Sequence, residues 1–557
     1  KIHELNFLKD NNISIVINHV LKIVEIFSDS GRLIRPVFDL EKISKFKSTI
    51  VPSFDFCLKN QLIKYVDINE IMANKTAIEP TDLIENPNTD YKLMELHPCG
   101  LFGIVASIIP FSDRTQSARN CFYTSMVKQA IGFIPCHNLK TETISHTLNY
   151  PQKPLVTTDV AEFNGINDYP NGINAIVAIM CYGGYNQEDS VILNKASLER
   201  GLFGTATYNT FTAEEKKNGL VEEKIDIPPN NVKIRDCNYG LLDHTGIVKL
   251  RQKVKKGDVL IGKITIRIKN EEEKIIDSSV IVQHGEEGYV DRIVDTMTVN
   301  GSRLVKVVIA QFRVPEIGDK FCSGMAQKGT CGIIYPQEDM PFSDSGMTPD
   351  IIINPNCIPS RMTINQIIAT VMGKLYTLRP QKKFKIANPF MENSTTLLND
   401  LCNQLIEHGF DYSGSEALYN GFTGRRIESQ IFMGPTYYHR LKHMVKDKMH
   451  ARSHGQVTTL HRQPNCGRAH GGGLRFGEME KDCVLVHGAT QFLNERMFLN
   501  SDPFQIDVCK DCGMMSSTHK KCHVCKSLNI KRCHIPYSFK NLLQELNAMG
   551  IKTKIGV

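Results

Sequence analysis

Cys509 and Cys512 are separated by two residues, as are Cys522 and Cys525, and nine residues lie between the two pairs. Each Cys-x2-Cys step bends the backbone so that two thiolates face one ion. Two such steps complete a closed tetrahedral site. The predicted chemistry is structural Zn2+ held by Cys509, Cys512, Cys522 and Cys525, with no open position for a reaction. A redox dithiol is the alternative, but it needs one such pair rather than two. Cys533, His519, His523 and His534 stand nearby. With four thiolates available, they are expected to be surface groups or to support the ligands from outside.

Glu188 and Asp189 end a Gly-rich loop, GGYNQED, that follows an apolar run. Two adjacent carboxylates at a strand end can hold a divalent cation whose shell water completes. An Asp before Ser also serves as a helix or turn cap, and the local pattern leaves both readings open. Lys320 and Lys328 lie on a Gly-rich segment where ammonium groups would meet phosphates. Gly324 and Gly329 have the glycine spacing of a P-loop, but Thr330-Cys331 follow where Lys-Ser/Thr is needed, which excludes a Walker site. Arg361 comes just before a predicted helix start. That is a natural anion position, or equally the place of a cap-region salt bridge.

Between Arg425 and Arg475 there are ten Lys/Arg and two acids, a net of +8 in a chain whose total is +7. Histidines 439, 443, 450, 454, 461 and 470 fall in the same window. A charge run is commonly a solvated face. Here the whole surplus sits in one stretch interrupted by Gly and aromatics, which favours a polyanion such as nucleic acid. Arg452, Arg462, Arg468 and Arg475 flank Gly471-Gly472-Gly473, where close backbone approach and spaced arginines suit phosphates along a strand.

These groups need a large scaffold. The chain has 557 residues, 41% hydrophobic and 22% charged. This is ordinary globular composition, enough for three to five domains, and it excludes wholesale disorder, collagen and coiled coil. The best apolar run, Ala175–Cys181, is far short of a membrane span, and residues 1–12 carry no secretory signal. The chain opens on Lys1 without Met, so a fragment or processed piece is expected. Most of the 17 cysteines are scattered singly, unlike a secreted disulfide scaffold.

The patterning predicts an α+β protein. Ala175–Cys181 reads as a buried strand, followed by the acidic loop, a strand at Ser190–Leu193 and a short helix ending near Gly201. Residues 205–312 turn charged and β-rich, with strands expected at Gly246–Leu250, Val259–Ile268, Gly288–Val294 and Leu304–Phe312 and a mobile tip at Asn270–Lys274. Thr363 and Gln366 form a capping box for a helix whose stripe Ile364, Ile367, Ile368, Val371, Met372, Leu375 is core. Helices are also expected at Asp482–Leu499 and Tyr537–Met549.

Read together, GYNQEDS (184–190), IGDKF (317–321), QKGT (327–330), EDMPF (338–342), PDIIINP (349–355), IPSRMT (358–363), GPTYYHRLKHMV (434–445), DKMHARS (447–453) and GGGLRFGEMEKDC (471–483) resemble, in order, the blocks of the second-largest subunit of multisubunit DNA-directed RNA polymerases. PFSD (110–113), SARN (117–120) and YPQKPL (150–155) match earlier blocks. The resemblance runs from about Gly31 to the C-terminus. The terminal cysteine module places it nearer the eukaryotic, archaeal and large-DNA-virus type than the bacterial type. The family subunit is roughly twice this length, so the chain resembles its C-terminal half, as a fragment or a split subunit.

The resemblance implies an architecture: external region (partial) at 1–102, hybrid-binding region at 103–204 and 313–480, an inserted wall or flap at 205–312, an anchor at 481–504 and a zinc-bearing clamp segment at 505–557. It also implies roles. Asp189 with Glu188 matches the acidic pair near the second, NTP-borne Mg2+. Lys320 and Lys328 match lysines facing the RNA 3′ end and incoming phosphates. Arg119 and Arg361 match arginines gripping the triphosphate, and Gln129 matches a glutamine beside the product RNA. Lys448 and His450 join Arg452, Arg462, Arg468 and Arg475 in the nucleic-acid-binding set. Phe122 departs from the usual Tyr, and Gly324-Met325 from the usual Arg-His, so contacts from those side chains are lost.

Nucleotide addition is in-line phosphoryl transfer assisted by two metals and cationic clamps. No DxDxD-like triplet for the tightly held metal occurs in this sequence; in the family that cluster is on the largest subunit. The expectation is therefore half an active site, inactive alone. The partners implied are the largest and smaller polymerase subunits, DNA template, RNA transcript and NTPs, with no membrane. The rivals are a non-catalytic paralogue of the same fold and a free zinc-ribbon factor. The phosphate-facing set disfavours the first, and the small extent of the cysteine module the second. A Lys/Ile/Asn-rich, Trp-free texture suits an AT-rich genome such as that of a large DNA virus. Localisation is expected to be intracellular: nuclear, or cytoplasmic or in the virion for a virus.

Overall fold

A computed structural model describes residues 13–556 apart from residues 19–21, 30, 47–52, 136–139, 220, 235–236, 270–271, 284, 392–393 and 517–519. His519 and the first residues of the loop tip expected at 270–274 lie outside the described residues. The protein mixes helix and sheet, and it divides into two compact units, Lys1–Asp447 and Lys448–Val557. Among the described residues no helix is long and apolar enough to cross a membrane.

The first unit is built on a closed barrel. Its strands are β1 (Ile173–Ile179), β2 (Ser190–Asn194), β3 (Lys320–Ser323), β4 (Lys328–Tyr335), β6 (Ile351–Ile353) and β8 (Arg426–Arg440). Pairing runs β3-β4-β2-β6-β1-β8 and returns from β8 to β3. The first half of β8 also pairs β7 (Ser415–Tyr419), which pairs the short β5 (Phe342–Ser343). Pairs β2–β4 and β1–β6 are parallel; the other pairs of the ring are antiparallel. Closure leaves the ring without a free edge.

Alternation explains the apolar runs. Ala175, Val177, Val191, Leu193, Phe321, Cys331, Ile351, Ile353 and Tyr438 fill one cluster, whereas Ala178, Ile192, Ile352 and Met433 fill another on the opposite face. Strands covered on both faces read as continuous hydrophobic segments. The expected strand at Ala175–Cys181 is present but shifted to Ile173–Ile179. Met180 keeps one further backbone bond to Ile353 before the acidic loop begins.

Helix α1 (Ile364–Leu378) buries Ile368, Val371, Met372 and Leu375 against Phe111, Phe384, Leu401 and Leu405. It approaches β8 closely at Gly434, where a Cβ would meet Thr370 Cγ2 at 2.7 Å. Two expectations fail here. The capping box does not form, because the Thr363 hydroxyl accepts from Gln327 instead. Ile364, counted as core, is 46% exposed at the first turn.

Residues 205–313 form a β-rich insertion with its own apolar cluster around Val254, Leu260, Val290, Val305 and Val307. Its main sheet runs Lys253–Val254, Gly288–Met297, Arg303–Arg313, Thr205–Glu214 and Ile144–Leu148. The last strand comes from before the insertion. No strand forms at Gly246–Leu250. There Gly246, at φ +77°, closes a turn back to Asp243, and Ile247 and Val248 make only isolated bridges. The expected strand Val259–Ile268 is split at Gly262, where a Cβ would meet the Asp226 carbonyl at 2.6 Å.

In the second unit, Pro503–Cys509 pairs with Met515–Ser516 and Ile530–Pro536. The helix expected at Asp482–Leu499 is broken. Glu478–His487 ends at Gly488 (φ +80°), and a second segment, Thr490–Leu499, finishes with a π-helical turn. The C-terminal helix, Tyr537–Ala548, ends a residue earlier than expected.

Candidate functional site

Strand register gathers three distant loops at one end of the barrel. Asp189 immediately precedes β2, and Lys328 begins β4, which runs parallel to β2 with Ser190 opposite Thr330. The end of β6 lies antiparallel to the start of β2, with Ile353 opposite Val191, and leads into the short helix Cys357–Arg361. Asp189, Gln327, Lys328, Asn354, Cys357 and Arg361 consequently line one cleft with Tyr438 at its floor.

Within the cleft, Arg361 Nη2 pairs with Asp189 Oδ1, and Arg361 Nη1 donates to Gln327 Oε1 at 2.7 Å. The Arg361 side chain is 16% exposed and that of Asp189 53%. Arg119, on the helix Ser117–Met126, belongs to the same electrostatic group. Burial lowers its pKa most, the Arg361 charge lowers it further, and Asp189 opposes both. Its guanidinium lies 5.1 Å from the Phe122 ring centroid, so the residue that lacks the expected hydroxyl contributes a ring face instead.

Lys320 and Lys328 share one face of the β3–β4 hairpin, because Lys320 lies opposite Thr330 and Cys322 opposite Lys328. The other face, through Phe321 and Cys331, fills the barrel. Burial pushes the Cys322 thiol up to about 12 against the pull of the Lys328 and Arg361 charges. Burial likewise raises Cys357, which lines the cleft, to about 11. Both therefore stay neutral beside the cations.

Backbone strain is concentrated around this cleft. Glu188 (φ +44°), Asp189 (φ +68°), Ala326 (φ +63°) and Met362 (φ +53°) are all non-glycine residues in the left-handed region, each in or next to a cleft residue. Asn186, fully buried, steadies the acidic loop by donating to the Met180 carbonyl at 2.6 Å. Glu188 is exposed beside Asp189. Gln129 has its side-chain oxygen 3.0 Å from His443 Nε2. Gln327, Asn186 and Tyr438 were given no role from sequence. The only local signal was that all three sit in motif blocks, where the neighbouring charges drew the reading.

The cysteines form a second centre. The four Sγ atoms all lie within 4.8 Å of one another, with Cys509–Cys525 at 3.4 Å and Cys512–Cys522 at 3.6 Å. Bonds of about 2.3 Å in a tetrahedral site require sulfurs about 3.8 Å apart. The knuckles are alike. The Gly513 and Lys526 N–H groups donate to the Cys509 and Cys522 carbonyls at 2.8 and 3.0 Å, and both residues have positive φ. The Cys525 N–H helps pull the Cys522 thiol down to about 7. Four thiol donors with this spacing could hold a metal such as zinc.

The basic stretch is not uniform. Arg440 and His439 are each 1% exposed and belong to the interior, which corrects their counting with a polyanion surface. Arg452 donates to the Gly471 and Gln456 carbonyls at 2.7 and 3.1 Å, and His450 Nε2 lies 2.5 Å from the Gly472 carbonyl. Arg462 stacks 4.2 Å from the Tyr537 ring centroid. Lys448 and Arg475 are exposed, and Arg468 is half-buried.

Comparison with known proteins finds the family described as RNA polymerase Rpb2, domain 6 over residues 105–470, and RNA polymerase Rpb2, domain 7 over residues 472–557. A probable DNA-directed RNA polymerase II subunit RPB2 homolog of Invertebrate iridescent virus 3 is 77% identical over 554 residues, covering 100% of this chain and 48% of that protein. DNA-directed RNA polymerase II subunit 2 of Arabidopsis thaliana is 40% identical over 96% of this chain and 48% of its own length. DNA-directed RNA polymerase subunit Rpo2 of Sulfolobus acidocaldarius is 39% identical, with 98% and 50% covered. The chain spans about half the length of the curated relatives it matches.

Proposed function

Because the chain belongs to the Rpb2 family of second-largest DNA-directed RNA polymerase subunits, we propose that it forms one side of a nucleotide-addition site. The reaction joins the RNA 3′ oxygen to the α-phosphate of an NTP and expels pyrophosphate. Arg361 and Arg119 bind triphosphate oxygens, and Lys320 and Lys328 neutralise charge at the RNA end and the incoming phosphates. Asp189, with Glu188, holds the Mg2+ that arrives with the NTP. Bound there, Mg2+ neutralises phosphate oxygens during in-line displacement. The largest subunit contributes the remaining metal ligands, so the chain is inactive alone.

Gln129, Lys448, His450, Arg452, Arg462, Arg468 and Arg475 bind template, transcript or their hybrid through backbone phosphates, Arg452 and Arg462 also serving as internal braces. Zn2+ at the four cysteines is structural. The external, hybrid-binding, wall, anchor and clamp assignments are carried over with their boundaries. Smaller polymerase subunits complete the assembly, which works inside the cell, in the nucleus or, for a virus, the cytoplasm or virion.

The observation that carries this reading is the meeting of Asp189, Lys328 and Arg361 in one cleft from three separate strand ends. Single-nucleotide addition by the reconstituted polymerase at limiting NTP is the test. Arg361→Ala is expected to lose about a hundredfold in rate, the equivalent of about 2.7 kcal/mol of transition-state binding, with assembly and DNA binding intact. A wild-type rate would leave the non-catalytic reading in its place.

A further inference from the structure

Gln327 directly precedes Lys328, yet its side chain turns inward and the residue is only 4% exposed. Its Oε1 accepts from Arg361 Nη1 at 2.7 Å. Its Nε2 donates to the Cys357 carbonyl at 3.0 Å and to Thr363 Oγ1 at 2.5 Å. A primary amide has one oxygen and two N–H groups, and all three are matched here. The oxygen meets a guanidinium that only donates, and the nitrogen meets a carbonyl that only accepts. A flipped amide would set N–H against N–H and oxygen against oxygen, so the neighbours fix its orientation.

The backbone of Gln327 is equally constrained. Its carbonyl accepts from the Ser323 N–H at 3.0 Å, and its N–H donates to Ser323 Oγ at 3.3 Å, with Ser323 fully buried. Cys357 opens the short helix that Arg361 ends, Met362 follows in the left-handed region, and Thr363 precedes α1. One side chain thus ties both sides of that left-handed residue and one edge of the guanidinium. The long Arg side chain carries considerable rotamer entropy, so prior fixation of one edge lowers the cost of presenting the other. A neutral acceptor does this without adding a second carboxylate to Asp189, which already pairs with Nη2.

We propose that Gln327 is the positioning residue for Arg361, setting the guanidinium plane from Nη1 so that Nη2, which pairs with Asp189, is aimed at the NTP triphosphate. The proposal rests on the reading of Arg361 as a triphosphate ligand. The experiment is single-nucleotide addition across NTP concentration in the reconstituted polymerase carrying Gln327→Met, Arg361→Ala or both. Loss of a hydrogen bond to a charged group predicts that Gln327→Met raises half-saturating NTP about tenfold and adds nothing in the Arg361→Ala background. Equal losses in both backgrounds, or no loss in the single variant, overturn the proposal while leaving Arg361 as a ligand. A wild-type Arg361→Ala enzyme overturns the ligand reading and the proposal with it. Gln327→Glu keeps the volume, and its carboxylate competes with the triphosphate for Arg361. It is expected to raise half-saturating NTP at least as much, and wild-type NTP dependence in that variant also overturns the proposal.

Discussion

Arg440 Nη2 and Asp319 Oδ2 are 2.7 Å apart in an ion pair whose side chains are 1% and 3% exposed. The same guanidinium donates to the carbonyls of Phe203 and Arg313, and Asp319 accepts from the Val445 N–H. The pair thereby fastens β3 and β8 to the base of the β-rich insertion. Removing one partner of such a pair leaves an uncompensated buried charge. Asp319→Ala should destabilise the first unit by about 3–5 kcal/mol, read as a lower denaturant midpoint in the chain that contains it.

Asp189→Ala is expected to slow nucleotide addition in a Mg2+-dependent manner. On the proposed role of Asp189 as a ligand of the NTP-borne cation, the half-saturating Mg2+ concentration should rise. A titration of Mg2+ at fixed NTP distinguishes this from general damage, which would lower the maximal rate at every Mg2+ concentration.

One Zn2+ per chain is expected, lost in Cys522→Ser. Metal binding supplies much of the folding free energy of small thiolate modules. Chelation should therefore expose residues 503–536 to hydrogen exchange while the barrel stays protected. Metal analysis together with exchange mass spectrometry reads both outcomes.

Lys448 and Arg475 are two of the exposed cations of the basic stretch. Neutralising either should reduce the slope of log affinity against log salt by about one unit in the assembled polymerase. Arg462, stacked on the Tyr537 ring, should in addition weaken the second unit when replaced by Ala.

His439 gives a pH dependence. Its Nδ1–H donates to the Asn171 carbonyl at 2.8 Å, so Nε2 accepts from the Tyr123 hydroxyl at 3.3 Å. Burial holds the imidazole neutral, with its pKa brought down to about 4. As pH falls below the ordinary value near 6.5, the unfolded chain takes up a proton that the folded chain refuses. Stability therefore declines between about pH 6.5 and 4, by about 3 kcal/mol in all. His439→Gln should flatten that part of the denaturant-midpoint profile.

Features set by local spacing were legible in the sequence. The two cysteine knuckles are closed by bonds between residues four apart, and the strand at Ser190 follows directly from its own apolar run. Features set by partners far along the chain were not. The Thr363 hydroxyl looked like a helix cap because nothing nearby reveals that Gln327, 36 residues earlier, takes it. Arg440 and His439 read as surface charge because their partners, Asp319 and Asn171, lie 121 and 268 residues away. The pairing of Asp189 with Arg361 likewise spans 172 residues and depends on strand register that only the closed barrel fixes.

The barrel ring opens with Ile173 and is closed by Arg440. A ribosome adding about 5–20 residues per second needs roughly 13–50 s to make the intervening chain. For about two thirds of that interval β1 has neither β6 nor β8 beside it, and until its end it lacks β8, as an uncovered ribbon rich in Ile, Ala and Val. Nascent chains of this protein should therefore be chaperone clients from the synthesis of β1 until that of β8, and the cleft around Arg361, floored by Tyr438, is complete only when β8 is made.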